Sequence, residues 1–219
     1  MKVILFGASG MVGQGVLREC LLDPEVTAVL SVVRSSTGQR HEKLREIVHK
    51  DFFDFASIES ELSGFDACFF CLGVSSAGLS EENYRRITYD ITLAAAQTLV
   101  KFNSNMTFVF ISGAGTDSSE RGRMMWARVK GQTENVLLRL PYKAAYMFRP
   151  GVIVPLHGIK SRTMLYRVSY AVLAPILPVL KRLFPKYVTT TEKLGRAMLI
   201  AAKRGAPKPV LESADINRL

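Results

Sequence analysis

The 219-residue chain is 48% apolar and 22% charged, the balance of a soluble globular fold long enough for a substantial core. Its formal charge of +10 is spread without a dense basic tract or aromatic and basic interleaving, so no nucleic-acid surface is expected. Three cysteines, Cys20, Cys68 and Cys71, give no disulfide framework, and His41, His49 and His157 lack metal-ligand spacing, so no metal site is expected either.

The apolar run Val3-Ile4-Leu5-Phe6 opens the chain as a first strand. It comes so early that no targeting segment is expected before it, and a cytoplasmic location follows as the expectation. Gly7-Ala8-Ser9-Gly10-Met11-Val12-Gly13 comes next, with glycines at the spacing of a phosphate-binding loop. Gly7 can take the angles of a tight turn, Gly10 leaves room for a pyrophosphate, and Gly13 lets the following helix lie close on the strand. That helix would present unpaired N–H groups and the positive end of its dipole to an anion. Val12, Val16, Leu17, Cys20 and Leu21 recur behind the loop at helical spacing.

Beyond the break at Asp23-Pro24, residues 26–33 read as a second strand ending at Arg34-Ser35-Ser36, and 46–49 as a third ending at Asp51-Phe52. A helix-like stretch covers 56–62. The fourth strand, 66–71, holds Cys68 and Cys71 in an apolar run that suits a buried strand rather than a redox turn, and it ends at Gly73. Residues 81–102 read as one long helix with Ile87, Ile91, Ala94, Ala95 and Leu99 on its inner face. A fifth strand, 106–111, ends at Ser112-Gly113; a helix over 124–140 and a sixth strand over 144–148 lead to Arg149-Pro150-Gly151.

From Gly158 onward the pattern loosens. Residues 160–186 join Arg162, Arg167, Lys181, Arg182 and Lys186 to apolar neighbours and read first as a cap on a substrate pocket, with a dimer contact or a membrane-surface patch as alternatives. The apolar stretch 170–180, broken by Pro175 and Pro178, is too short to span a bilayer. Thr189 to Glu192 has capping-box spacing and opens a helix over 192–203, and 209–211 suits a last short strand. Strands alternating with helices predict an α/β fold, a doubly wound parallel sheet with a small C-terminal substrate-side extension. The expected organisation is one domain over 1–219, with its core at 1–155 and a cap region at 156–219. Ligands of such sheets bind beyond the carboxyl ends of the strands, where the polar and glycine punctuation falls.

Taken together, the Gly7 to Gly13 loop, Cys71-Leu72-Gly73, Ser112-Gly113-Ala114-Gly115, Val129-Lys130-Gly131 and Phe148-Arg149-Pro150-Gly151 resemble the atypical short-chain dehydrogenase/reductase superfamily. Within it the chain is most similar to the Tat-interacting-protein-like oxidoreductases, well over residues 1–155 and loosely beyond. The resemblance implies a Rossmann fold and an NAD(P) cofactor. It places Arg34 at the adenosine 2′-phosphate, with no carboxylate nearby, so that NADP(H) is preferred over NAD(H). Asp51 and Phe52 match the adenine pocket, Leu72 and Gly73 would line the ribose and pyrophosphate, and Pro150, Gly151 and Val152 complete the cofactor side.

The superfamily's chemistry uses a Ser to hold the substrate oxygen, a Tyr to pass the proton and a Lys one helical turn later. Ser112 and Lys130 match the first and the last, but Trp126 stands where the Tyr belongs. An indole does not ionise usefully, so it cannot act as a general acid. Either another donor serves, with Tyr84, Asp117 or water as weak candidates, or hydride chemistry has been lost. Two functions therefore stay open: NADP(H)-dependent oxidation or reduction of a small carbonyl or alcohol compound, or a non-catalytic NADP(H)-binding regulator or assembly factor. The sequence leaves the oligomeric state undetermined.

Overall fold

The computed structural model describes residues 1–159 and 187–219. Strand β1 (Lys2–Phe6) leads into helix α1 (Met11–Leu22), β2 (Ala28–Val33), β3 (Leu44–Val48), a 3₁₀ turn (Ala56–Glu61) and β4 (Ala67–Phe70). Then come α2 (Glu81–Arg85), a π-helical turn (Arg86–Asp90), α3 (Ile91–Phe102), β5 (Thr107–Ile111), α4 (Met125–Leu137), β6 (Ala144–Arg149) and β7 (Val152–Val154). After the undescribed stretch the chain continues through β8 (Val188–Thr190), α5 (Thr191–Arg204), β9 (Val210–Glu212) and α6 (Ser213–Ile216).

Seven strands form one sheet in the order β3-β2-β1-β4-β5-β6-β9, every pairing parallel. Both faces are covered, which is why β1 is apolar at successive positions rather than alternating. Val3 and Leu5 point into a core shared with α1 and α5, while Ile4 and Phe6 point into the opposite core under α3. Chain order reverses between β1 and β4. A crevice opens at such a switch point beyond the strand ends.

Two local expectations are corrected. The helix expected over 81–102 is interrupted by the π turn, but its expected inner face holds: Ile91, Ala95 and Leu99 are buried, Ile87 and Ala94 are half-buried against the same core, and Thr88, Thr92 and Ala96 are buried as well. The N-cap of α5 is Thr190, whose hydroxyl accepts from the Lys193 N–H at 3.1 Å; Thr189 lies inside β8, and Glu192 pairs with Arg196 instead of closing a box. Strands β7 and β8 pair in parallel as a separate two-stranded sheet that the sequence did not signal.

Residues 187–219, read in the sequence as part of the cap region, supply β9 to the sheet and α5 to the layer covering α1. The expected cap over 160–186, with its dimer and membrane alternatives, lies outside the described residues.

Candidate functional site

The loop from Gly7 to Gly13 sits at the end of β1, beside the switch point. Gly7 has φ +82°, and a Cβ there would lie 2.6 Å from the Cys71 carbonyl carbon. A Cβ on Gly13 would lie 2.0 Å from the Gly7 carbonyl oxygen, so neither position tolerates a side chain. At Gly10 a Cβ would meet only the Gly7 oxygen, at 3.4 Å, which leaves its outer side open. Gly10 is also the N-cap of α1, and no side chain caps that helix. An open glycine face over an uncapped helix terminus fits a dinucleotide pyrophosphate. Ser9 is half-buried and its carbonyl accepts from Gln14 Nε2 at 3.1 Å. Ala8 is buried, and Met11 and Val12 pack against the core, so these three offer a ligand chiefly their backbone.

Arg34 is exposed at the end of β2 and has no hydrogen-bonded carboxylate among the described residues. Glu46, on β3, accepts from the Ser36 hydroxyl at 2.7 Å, from the Thr37 N–H at 3.2 Å and from the Thr37 hydroxyl, pinning the loop that follows Arg34. Burial raises the Glu46 pKa, and the Thr37 and Ser36 donors more than offset it, holding the carboxyl below its ordinary value. Local sequence could not reveal this, because Glu46 reaches the loop through strand pairing.

Asp51 is exposed and its Oδ1 caps the Phe53 N–H at 2.9 Å. Phe52 points inward, 4% exposed and edge-on to Phe6 and Phe55, so its ring is core rather than an open pocket wall. The neighbouring Phe53, which the sequence reading passed over, is the exposed ring, with the Arg86 guanidinium 4.9 Å from its centroid. Leu72 is half-buried, and Gly73 opens to free space on the side where a Cβ would point.

Helix α4 places Trp126, Lys130 and Glu134 one turn apart on one face. Lys130 Nζ donates to the Ser112 carbonyl at 2.8 Å and the Ile111 carbonyl at 3.4 Å. Burial pushes its pKa down to about 8, partly opposed by Glu134. The Trp126 ring lies against Gly115, where a Cβ would be 3.4 Å from Cη2. The loop bearing Ser112 is pressed onto α4, since a Cβ on Gly131 would fall 1.8 Å from the Asp117 carbonyl oxygen.

The Ser112 hydroxyl is engaged: it donates to the buried Glu134 carboxylate. Arg149 clamps the same carboxylate, with Nε 3.0 Å from Oε1. Pro150 and Gly151 are likewise tied to the protein, the Pro150 carbonyl accepting from the Ala114 N–H at 2.9 Å and the Gly151 N–H donating to Ser213 Oγ at 2.6 Å. Val152 stands exposed on β7.

Of the alternative donors, Tyr84 is buried at 2% exposure, and Asp117 is an ionised acceptor whose pKa is lowered chiefly by the Ser119 hydroxyl and the Gly122 N–H. Among the described residues no cluster of His, Cys, Asp or Glu could hold a metal, and no helix is long and apolar enough to cross a membrane.

A family model described as NAD(P)H-binding matches residues 7–145. A mitochondrial FMP52 protein of Meyerozyma guilliermondii is 25% identical over 232 residues, covering 100% of this chain and 94% of the relative. The mitochondrial fmp52 of Emericella nidulans is 29% identical, covering 69% of this chain and 66% of the relative; rat HTATIP2 is 27% identical, covering 70% and 63%. The match thus spans about two thirds of the length of the last two. Among solved structures, the Bordetella bronchiseptica enzyme WbmF in complex with NAD+ superposes with a TM-score of 0.69 at 15% identity, covering 99% of this chain and 76% of that one. The cytoplasmic expectation is overturned by the fungal relatives, whose names place them in the mitochondrion.

Proposed function

The chain belongs to the NAD(P)H-binding family as an atypical short-chain dehydrogenase/reductase, and we propose that it binds NADP(H) and acts as an oxidoreductase on a small carbonyl or alcohol compound. The observation that carries this reading is the α1 N-terminus, capped by no side chain and opening beside the switch point of the sheet. The nicotinamide, when bound, supplies or accepts the hydride. Every other task falls to the chain. The Gly7 to Gly13 backbone holds the pyrophosphate, Arg34 the 2′-phosphate and Asp51 the adenine side, while Leu72 and Gly73 line the ribose and pyrophosphate. Lys130, anchored on the Ser112 carbonyl, presents its ammonium to the nicotinamide ribose, and Trp126 walls the reacting face without ionising.

A second reading, a non-catalytic NADP(H)-binding regulator or assembly factor, is favoured by the indole at the proton donor's position. Calorimetric titration with NADPH and NADH tests the binding claim, and absence of NADPH binding refutes it. Rapid mixing of NADPH-loaded protein with a panel of small aldehydes and ketones separates the two readings: loss of nicotinamide absorbance supports the oxidoreductase, and none across the panel supports the regulator.

A further inference from the structure

Parallel strands are ordinarily joined by a helix, but residues 34–43 run from the end of β2 to the start of β3 without one. Ordering such a segment costs conformational entropy that contacts from elsewhere must offset. Its far end is held by Lys43, whose Nζ donates to the Asp23 carbonyl at 2.9 Å and the Leu21 carbonyl at 3.1 Å. Its near end, which begins with Arg34, is held by Glu46: among the described residues no other hydrogen bond ties residues 34–40 to the rest of the protein.

Glu46 stands on β3 opposite Ser31 of β2, and its two oxygens take three donors, the Ser36 hydroxyl at 2.7 Å, the Thr37 N–H at 3.2 Å and the Thr37 hydroxyl. The same two side chains fasten the next turn. Ser36 Oγ accepts from the Gly38 N–H at 3.2 Å and Thr37 Oγ1 from the Gln39 N–H at 3.3 Å, with Gly38 at φ +74°. The Arg34 side chain lies outside this web, exposed two residues before it.

We propose that Glu46 is a positioning residue for cofactor choice: by pinning Ser36 and Thr37 it fixes the backbone from which Arg34 reaches the 2′-phosphate, and so sets the preference for NADP(H) over NAD(H) without touching either. The inference rests on the proposed role of Arg34 and deepens it. Its sign sets it apart from simple electrostatics. A carboxylate acting only as a charge repels the phosphate, so its removal tightens NADPH. Removal of a clamp loosens it.

The test is calorimetric titration of the full chain with NADPH and with NADH. Glu46→Ala is expected to weaken NADPH by about 2- to 12-fold, the cost of immobilising one flexible side chain anew on binding, and to leave NADH unchanged. Tighter NADPH binding, or an equal loss for both cofactors, overturns the proposal. In an Arg34→Ala background Glu46→Ala is expected to change NADPH affinity no further, because Glu46 acts through Arg34; additive losses overturn it. Thr37→Val, which removes a single donor to the carboxylate, is expected to weaken NADPH in the same direction and serves where Glu46→Ala does not fold. Nitrogen-15 relaxation of the ligand-free protein keeps the two claims apart. Residues 35–38 are expected to be as ordered as β2 in the wild type and mobile on the picosecond to nanosecond timescale in Glu46→Ala. Equal order in both proteins overturns the clamp whatever the cofactor, whereas a released loop together with equal wild-type affinity for NADPH and NADH refutes the role of Arg34 instead.

Discussion

Gly15 of α1 lies so close to Thr191, the first residue of α5, that a Cβ on it would sit 2.7 Å from the Thr191 Cβ and 2.9 Å from its carbonyl oxygen. The contact is reciprocated at Gly195, where a Cβ would come within 2.8 Å of Glu19 Cγ. The helix whose N-terminus is proposed to hold the phosphates is therefore braced from behind by the C-terminal part of the chain. Gly15→Ala forces the two helices apart, and overpacking of this kind costs about 1–3 kcal/mol. A fall in Tm of roughly 2–12 °C is expected by calorimetry of the ligand-free protein. An unchanged Tm contradicts the close crossing.

The proposed preference for NADP(H) rests on Arg34. The guanidinium is exposed and unpaired with any carboxylate among the described residues, while Glu46 is occupied by Ser36 and Thr37. A charged hydrogen bond is worth about 1.5–3 kcal/mol, so Arg34→Ala should weaken NADPH by roughly 10- to 150-fold and barely affect NADH. Equal wild-type affinity for the two cofactors refutes the assignment.

Lys130 gives the site a pH dependence. With its pKa at about 8 against an ordinary 10.5, the folded protein releases this proton first, and between those values the unfolded chain holds more protons. This group's contribution to stability therefore rises with pH across that window. Its effect on an anionic cofactor has the opposite sign, since the attracting charge disappears above about pH 8. NADPH affinity measured from pH 7 to 9 should fall in the wild type and stay flat in Lys130→Arg. A wild type as flat as the variant shows that the ammonium does not face the ligand.

The sheet and the glycine loop were legible because they rest on local signals: apolar runs buried on both faces, and glycines whose space is taken by the chain a few residues away. Gly13 against Gly7 is such a case. What the sequence concealed was long-range pairing. Glu46 reaches the loop after Arg34 across two paired strands, and Glu134 meets Ser112 and Arg149 only once α4 and β6 lie side by side. The inward turn of Phe52 was hidden for a related reason: in Phe52-Phe53 either ring could have faced the crevice, and the aromatic cluster around Phe6 and Phe55 decides. Residues 81–102 show what periodicity gives and what it misses: the spacing of Ile91, Ala95 and Leu99 marked the buried face, while nothing in it marked the π turn over Arg86–Asp90 that interrupts the helix.

Restoring a phenol tests whether the missing donor limits catalysis. Trp126→Tyr puts an ionisable hydroxyl one turn before Lys130, and general acid catalysis supplies about 10²- to 10⁴-fold. Reduction of a small ketone by NADPH should rise measurably over the wild type. Fast turnover already present in the wild type shows that the donor was never absent.

Trp126 is the only tryptophan in the chain and lies half-buried against Gly115, on the helix face that carries Lys130. If Lys130 meets the nicotinamide ribose, Trp126 lies beside the nicotinamide ring. Reduced nicotinamide absorbs where indole emits, so NADPH should quench Trp126 strongly and gain emission of its own, while NADP+ quenches less. Lys130→Ala should move the quenching curve to higher NADPH concentration without changing its final depth, because the variant loses affinity and keeps the ring's place. Binding seen by calorimetry with no change in tryptophan emission would put α4 away from the cofactor, and with it the assignment of Lys130.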